Sequence, residues 1–100
     1  MLLIYGFKIN FSEPSLFFNP LSIAVAAFDD ETSLEILEIL FANSKDIDIN
    51  QVDRLENSAL HYSCIVKKPL TAKFLLENGA DPELRNGFNY IPMDYCKDQD

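Results

Sequence analysis

The sequence predicts an all-α solenoid in which helix pairs stack side by side, and three observations predict it. A Leu-Leu-x-x-Gly segment occurs at Leu2–Gly6 and again at Leu75–Gly79, each time followed by a short extended stretch. A second segment recurs out of phase with the first, as Asn19-Pro20-Leu21-Ser22-Ile23-Ala24, Ser58-Ala59-Leu60-His61-Tyr62-Ser63 and Ile91-Pro92-Met93-Asp94-Tyr95-Cys96. The step from Leu60 to Met93 is 33 residues and that from Leu21 to Leu60 is 39, a period typical of stacked repeats. Finally, Ser33–Ala42 is apolar around most of its circumference, so it must be covered on most sides.

Each element has its own local warrant. The opening Leu2-Leu3 stands where the second helix of a unit would end. A first helix is expected over roughly 20–28, paired with one over 33–43. Thr32-x-x-Glu35 reads as a capping box that opens this second helix. Leu34, Ile36, Leu37, Ile39, Leu40 and Phe41 are its apolar positions, and only Glu35 and Glu38 form a polar stripe. A degenerate copy of the Leu-Leu segment follows, Ile39-Leu40 and then Asp48-Ile49-Asn50. Ser58 can cap a shorter helix over 59–66, whose small Ser63 and Cys64 let neighbours approach closely. Pro69 suits the first turn of the next helix and Gly79 its C′ position, giving a helix over 69–78. Within it Leu70, Ala72, Phe74, Leu75 and Leu76 are expected to face inward, with Lys73 and Glu77 in solvent. A last short helix is expected from Pro92.

Ser58-Ala59-Leu60-His61-Tyr62-Ser63, followed by Lys73-Phe74-Leu75-Leu76-Glu77-Asn78-Gly79-Ala80-Asp81-Pro82-Glu83, resembles the ankyrin repeat, with its Thr-Pro-Leu-His-x-Ala opening and 33-residue period. The strong match is the unit Asp53–Arg85; Asn19–Ala24 and Ile91–Cys96 look like weaker copies of its opening. The departures are about six extra residues in the first unit and Lys67-Lys68 where a glycine usually follows the first helix. On this resemblance the chain is one ankyrin-repeat-like α-solenoid over 1–100. A partial repeat end (1–18) is followed by a repeat with an insertion (19–52), a repeat (53–85) and a partial repeat (86–100). The resemblance implies hairpin-like connecting loops, and His61 bonded to those loops. It also implies that Phe17, Phe18, Leu55, Phe88 and Tyr90 lie on or near them.

Charge and chemistry narrow the function. The net charge is −8, and the stretch Asp29–Glu56 carries nine acids against Lys45 and Arg54. Phosphate recognition needs clustered bases, and acidic lipid repels such a chain, so neither nucleic acid nor membrane is an expected partner. A basic protein fits the sign. The start, MLLIYGFKIN, lacks a basic leader and a long apolar run, and a soluble, cytoplasmic protein is expected. No cofactor or metal is expected. Asp46-x-Asp48-x-Asn50 resembles the start of a calcium loop, but Gln51 and Asn57 occupy the positions where Gly and Glu are required; an Asx-stabilised turn is expected instead. Cys64 and Cys96 fall at nearly one repeat spacing, where helices stand about 10 Å apart, beyond disulfide reach. His61 has no acid placed to orient it, so an enzyme is not expected.

The expected function is protein–protein interaction with a basic partner, in one version as an inhibitor or neutralising partner. The alternative is a structural segment of a larger ankyrin array. The expected partner-binding residues are Phe17, Asp53, Arg54, Leu55, Asn57, Ile65, Val66, Phe88 and Tyr90; uncapped ends around Leu2, Leu3 and Tyr95 offer a second surface, for self-association. The acids Asp29, Asp30 and Glu31 are expected to steer the partner.

Overall fold

The computed structural model describes the backbone of residues 2–4, 7–9 and 20–96, and the side chains of residues 20–96. Among the described residues four α-helices follow one another: α1 Pro20–Ala26, α2 Asp30–Asn43, α3 Ala59–Ile65 and α4 Pro69–Glu77, with a one-turn 3-10 helix at Pro92–Tyr95. Within each unit the helices pair, α1 with α2 and α3 with α4. Between units α1 stacks on α3 and α2 on α4, and the 3-10 turn continues the row beyond α3. The predicted helix pairs are therefore present, and so is their stacking.

The local reasons are mostly those written in the sequence. Pro20 and Pro69 each begin a helix, where a missing N–H costs nothing. Ser58 caps α3 by accepting from the His61 backbone N–H, while the Ser58 N–H donates to His61 Nδ1. The end of α4 is a Schellman closure: Ala80 N–H donates to the Leu75 carbonyl at 2.9 Å and Gly79 N–H to that of Leu76. Gly79 sits at φ 102°, which an L side chain resists.

Two local expectations are corrected. Helix α2 begins at Asp30, not Ser33, because Asp29 is its N-cap and accepts from the Thr32 N–H at 2.7 Å. Asp30 and Glu31 then lie in the first turn, where the helix dipole favours negative charge. At the other end, Leu2-Leu3 does not close a helix. Leu2–Ile4 (β1) and Phe7–Ile9 (β2) pair as antiparallel strands, Leu2 opposite Ile9 and Ile4 opposite Phe7. Their Ile and Phe content suits a strand.

The core runs through both units: Leu21, Val25, Leu37, Leu40, Ile49, Ala59, Leu60, Leu75 and Ala80 are buried together. Phe41 and Phe74 meet edge to face across α2 and α4, with ring centroids 5.5 Å apart. Leu70 and Leu76, expected inside, are exposed, and Thr71 joins Leu75 as a fully buried residue of that helix. Helix α4 buries only the narrow face that α2 and α3 can reach. Ile39 on α2 is likewise 62% exposed, so the all-round apolar run is not covered all round.

Polar links fasten the two units where apolar contact does not. Asp30 of the first unit accepts from the Leu70 and Thr71 N–H groups and from Thr71 Oγ1 at 2.6 Å. It thereby caps α4, whose own N-cap residue, Lys68, offers no side-chain cap. In return the buried Lys68 reaches back, its Nζ donating to the Val25 carbonyl near the end of α1. Each unit supplies the charge that the other unit's helix terminus favours.

Candidate interaction surface

Two loops lead into α3 and into the 3-10 turn, and they are built alike. In the first, Asp53 Oδ1 accepts from the Leu55 and Asn57 N–H groups, both at 2.9 Å. Asp53 N–H donates to the Asn57 carbonyl, and Glu56 N–H to that of Asp53. In the second, Asn86 Oδ1 accepts from Phe88 and Tyr90, Asn86 N–H donates to the Tyr90 carbonyl, and Asn89 N–H to that of Asn86. Every bond recurs 33 residues on. The left-handed residues recur too, Glu56 at φ 65° and Asn89 at φ 69°.

The loops lie against each other. Gly87 N–H donates to the Leu55 carbonyl at 2.9 Å, and a Cβ at Gly87 would come within 2.9 Å of that same oxygen. Asn86 Nδ2 donates to Asn57 Oδ1 at 2.6 Å and to the Tyr95 hydroxyl at 2.8 Å. His61 is fully buried beneath them. Its Nδ1 accepts from Ser58 N–H, so Nε2 carries the hydrogen and donates to the Tyr90 carbonyl at 2.9 Å. Both ring nitrogens serve the loops, which is the role the resemblance implied.

The turns on the other side repeat in the same way. Asn50 N–H donates to Asp48 Oδ1, and Glu83 N–H to Asp81 Oδ1. The Asp46–Asn50 segment is thus the expected Asx turn. Asn50 also joins the units, its Oδ1 accepting from Asp81 N–H at 2.7 Å.

This scaffold holds the predicted residues in different roles. Leu55 is 53% exposed, Phe88 61% and Tyr90 48%, and Arg54 is exposed beside Leu55. The adjoining loops bring these four into one region. Met93, which the sequence did not mark, is also exposed on the neighbouring 3-10 turn. An open recess of about 560 Å³ is lined by Asn89, Tyr90, Asp94 and Tyr95. Ile65 and Val66 are exposed at the far end of α3, about 10 Å along its axis from the loops. Asn57 is buried and spends its side chain on Asn86, so it is a loop fastener and not a surface contact. Asp53 is half-buried, and its second carboxylate oxygen accepts from the Tyr62 hydroxyl. Burial first, and then that bond to Asp53, push the Tyr62 phenol above its ordinary range. Phe17 lies outside the described residues, as do Phe18, Asn19 and residues 97–100.

The acids expected to steer a partner are partly consumed by structure. Bonds from the Thr32 backbone N–H and hydroxyl hold Asp29 below the ordinary 3.8. For Asp30, burial acts upward, but the Thr71 hydroxyl, the Leu70 and Thr71 N–H groups and Lys68 together outweigh it and lower the carboxyl. The cysteines are also placed differently from expectation. Cys96 follows a one-turn 3-10 helix, not an α-helix, and it shares a pocket and a hydrogen bond with Cys64 instead of standing a helix spacing away.

Among the described residues no helix is long and apolar enough to cross a membrane. Residues 55–87 match the ankyrin repeat family model. The chain is similar to a Borreliella burgdorferi protein described as an ankyrin repeat protein, BB_B28, at 40% identity over 53 residues, covering 52% of this chain and 13% of that one. It is also similar to the E3 ubiquitin-protein ligase Ufd4 of Drosophila melanogaster, at 36% identity over 67 residues, covering 67% of this chain and 2% of that one. Among solved structures, the human ASB11 ankyrin repeat domain superposes with a TM-score of 0.66 at 29% identity, covering 78% of this chain and 33% of that one. The matched repeat at residues 55–87, the two similar loops in 33-residue register and the stacked helix pairs around them agree: the chain carries an ankyrin repeat and has the fold of an ankyrin-repeat solenoid.

Proposed function

We propose that this chain binds a partner protein through the paired loops, with Leu55, Phe88 and Tyr90 as anchors and Arg54 and Met93 beside them. Ankyrin repeats are protein–protein interaction modules, and stacked repeats present extended binding faces. The observation that carries the reading is the pair of stacked loops: their backbones are fixed by the same bonds, yet they hold Leu55 and Phe88 more than half exposed. Large apolar side chains on a rigid frame bind with little loss of freedom, which suits hot spots. Ile65 and Val66 extend the surface along α3, and Asp53 and Asn57 contribute by holding the loop. Phe17 is kept as a proposed contact on its position in the sequence alone. The net charge of −8 favours a basic partner. An inhibitor covering a basic enzyme is one form of this, and two free thiols suit a reducing, cytoplasmic setting. The repeat boundaries 19–52 and 53–85 are part of the proposal, supported by the repetition of the Asp53 loop at Asn86.

A second reading is a segment of a longer ankyrin array. It is favoured by coverage, since the chain spans only 13% and 2% of the curated relatives it matches. In that reading the end carrying Tyr90, Met93 and Tyr95 meets a further repeat or a second copy. One experiment tests the first reading. A protein recovered on the wild-type chain from native extract is purified and its affinity measured against L55A/F88A. At least a tenfold loss is expected, since a hot-spot truncation costs about 2 kcal/mol or more. Equal affinity for both would overturn the loop surface.

A further inference from the structure

We infer that Cys64 and Cys96 are a disulfide-forming pair, a redox modification site that fastens the 3-10 turn to α3. Cys64 is buried on α3, and Cys96 is exposed directly after Tyr95. These two elements pack on each other. Both cysteines line one open pocket of about 310 Å³, together with Ser63, Lys67, Lys68, Pro69 and Ala72. Their thiols are within hydrogen-bonding contact, and both are free. Burial, and then the neighbouring Cys96 thiol, push Cys64 up to about 12. Cys64 therefore stays protonated while the exposed Cys96 meets reagents first.

The oxidant is a low-molecular-weight disulfide such as glutathione disulfide. The Cys96 thiolate attacks one of its sulfurs, the glutathione S–S bond breaks, and one glutathione thiolate leaves. Cys64 then gives up its proton and attacks Cys96 Sγ, breaking the mixed disulfide and expelling the second glutathione. The two cysteines lose two electrons and two protons, and two glutathione thiols carry both away. The new bond would hold Cys96, and with it Tyr95. The Tyr95 hydroxyl already accepts from Asn86, the residue that organises the Phe88 loop. The site stands whether or not that loop binds a partner.

The test uses the full chain, oxidised with glutathione disulfide and followed by intact mass, thiol alkylation after unfolding, gel filtration and thermal melting. The expected product is a monomer two hydrogens lighter with no alkylatable thiol. Its melting temperature should rise on the order of 10 °C, because the bond closes a long loop in the unfolded chain. Dithiothreitol should reverse every change. C96S, at an exposed position, should fold as wild type and show neither the mass loss nor the gain in melting temperature; C64A should behave the same way under oxidation. A glutathione retained on Cys96, a Cys96-linked dimer, or an oxidised monomer with unchanged melting temperature would each overturn the inference.

Discussion

Asp30 shows how one side chain can be misread when only its neighbours in sequence are considered. In the sequence it is one of three consecutive acids. In the fold its carboxylate caps a helix 40 residues away by accepting from Leu70 and Thr71. Asp30→Ala should therefore destabilise the protein by about 1 kcal/mol, as loss of an N-cap does. Asp30→Asn, which keeps an acceptor oxygen, should cost less; thermal melts of both variants check this. Acid gives a second readout. Asp29 and Asp30 are both held below the ordinary carboxyl value of 3.8. A lowered folded-state value means that the stabilisation is complete above the unfolded value and disappears as pH falls through the folded one. The wild type should thus lose stability below about pH 4, and Asp30→Asn should lose less over that same interval. Lys68 and Asn50 were equally opaque in the sequence. Their partners, Val25 and Asp81, stand 43 and 31 residues away, and no local pattern encodes such a link. Asn86, by contrast, could have been found, because it lies one period after Asp53.

At the level of elements, legibility followed from punctuation. Ser58, Pro69 and Gly79 announced the start of α3 and the two limits of α4, because each acts on its own backbone. Helix α2 was displaced by three residues because Thr32-x-x-Glu35 and Asp29 both offer a start, and only the tertiary position of Asp30 selects the earlier one. Faces were harder than boundaries. In a nine-residue helix such as α4, the neighbours decide which side is buried, so Leu70 and Leu76 ended outside and Thr71 inside. Leu75 was legible from both signals and has no exposed surface. Leu75→Ala should cost about 2–5 kcal/mol, whereas Glu77→Ala on the same helix should stay within about 0.5 kcal/mol. Equal melting shifts for the two would contradict the packing. Gly79→Ala tests the closure of α4. No atom lies within 4 Å of the added methyl, so the expected loss of about 1–2 kcal/mol is conformational, from the positive φ.

For the whole molecule, the stacked arrangement of helix pairs was readable because the period was readable, although the β1–β2 pair was not anticipated. The candidate surface was half readable. Leu55, Phe88 and Tyr90 are where the repeat register put them, while Asn57 was lost to the interior. The charge argument must also be redrawn. Reversing Asp29 or Asp30 would unfold helix ends as well as change the field. Steering is better tested at Glu35 and Glu38, which are exposed on α2. Glu35→Lys with Glu38→Lys should slow association with a basic partner and flatten its salt dependence, leaving dissociation nearly unchanged. Leu55→Ala should raise the dissociation rate instead. Stopped-flow or surface-plasmon kinetics separate the two classes.

The exchange of charges between Asp30 and Lys68 has a consequence for how the protein opens. In a repeat array each unit contributes its own stability and a coupling to its neighbour, and weak coupling lets one end melt while the other persists. Here the coupling includes the caps themselves. When α1 and α2 come apart, α4 loses the carboxylate at its N-terminus; when α3 and α4 come apart, the end of α1 loses its ammonium group. The first unit cannot fray without leaving the second one short of a bond that it cannot make alone. Native-state hydrogen exchange should then find one opening event where a looser stack would show two. The slowest amides of α1 and of α4 should share the same free energy of exposure and respond in parallel to denaturant.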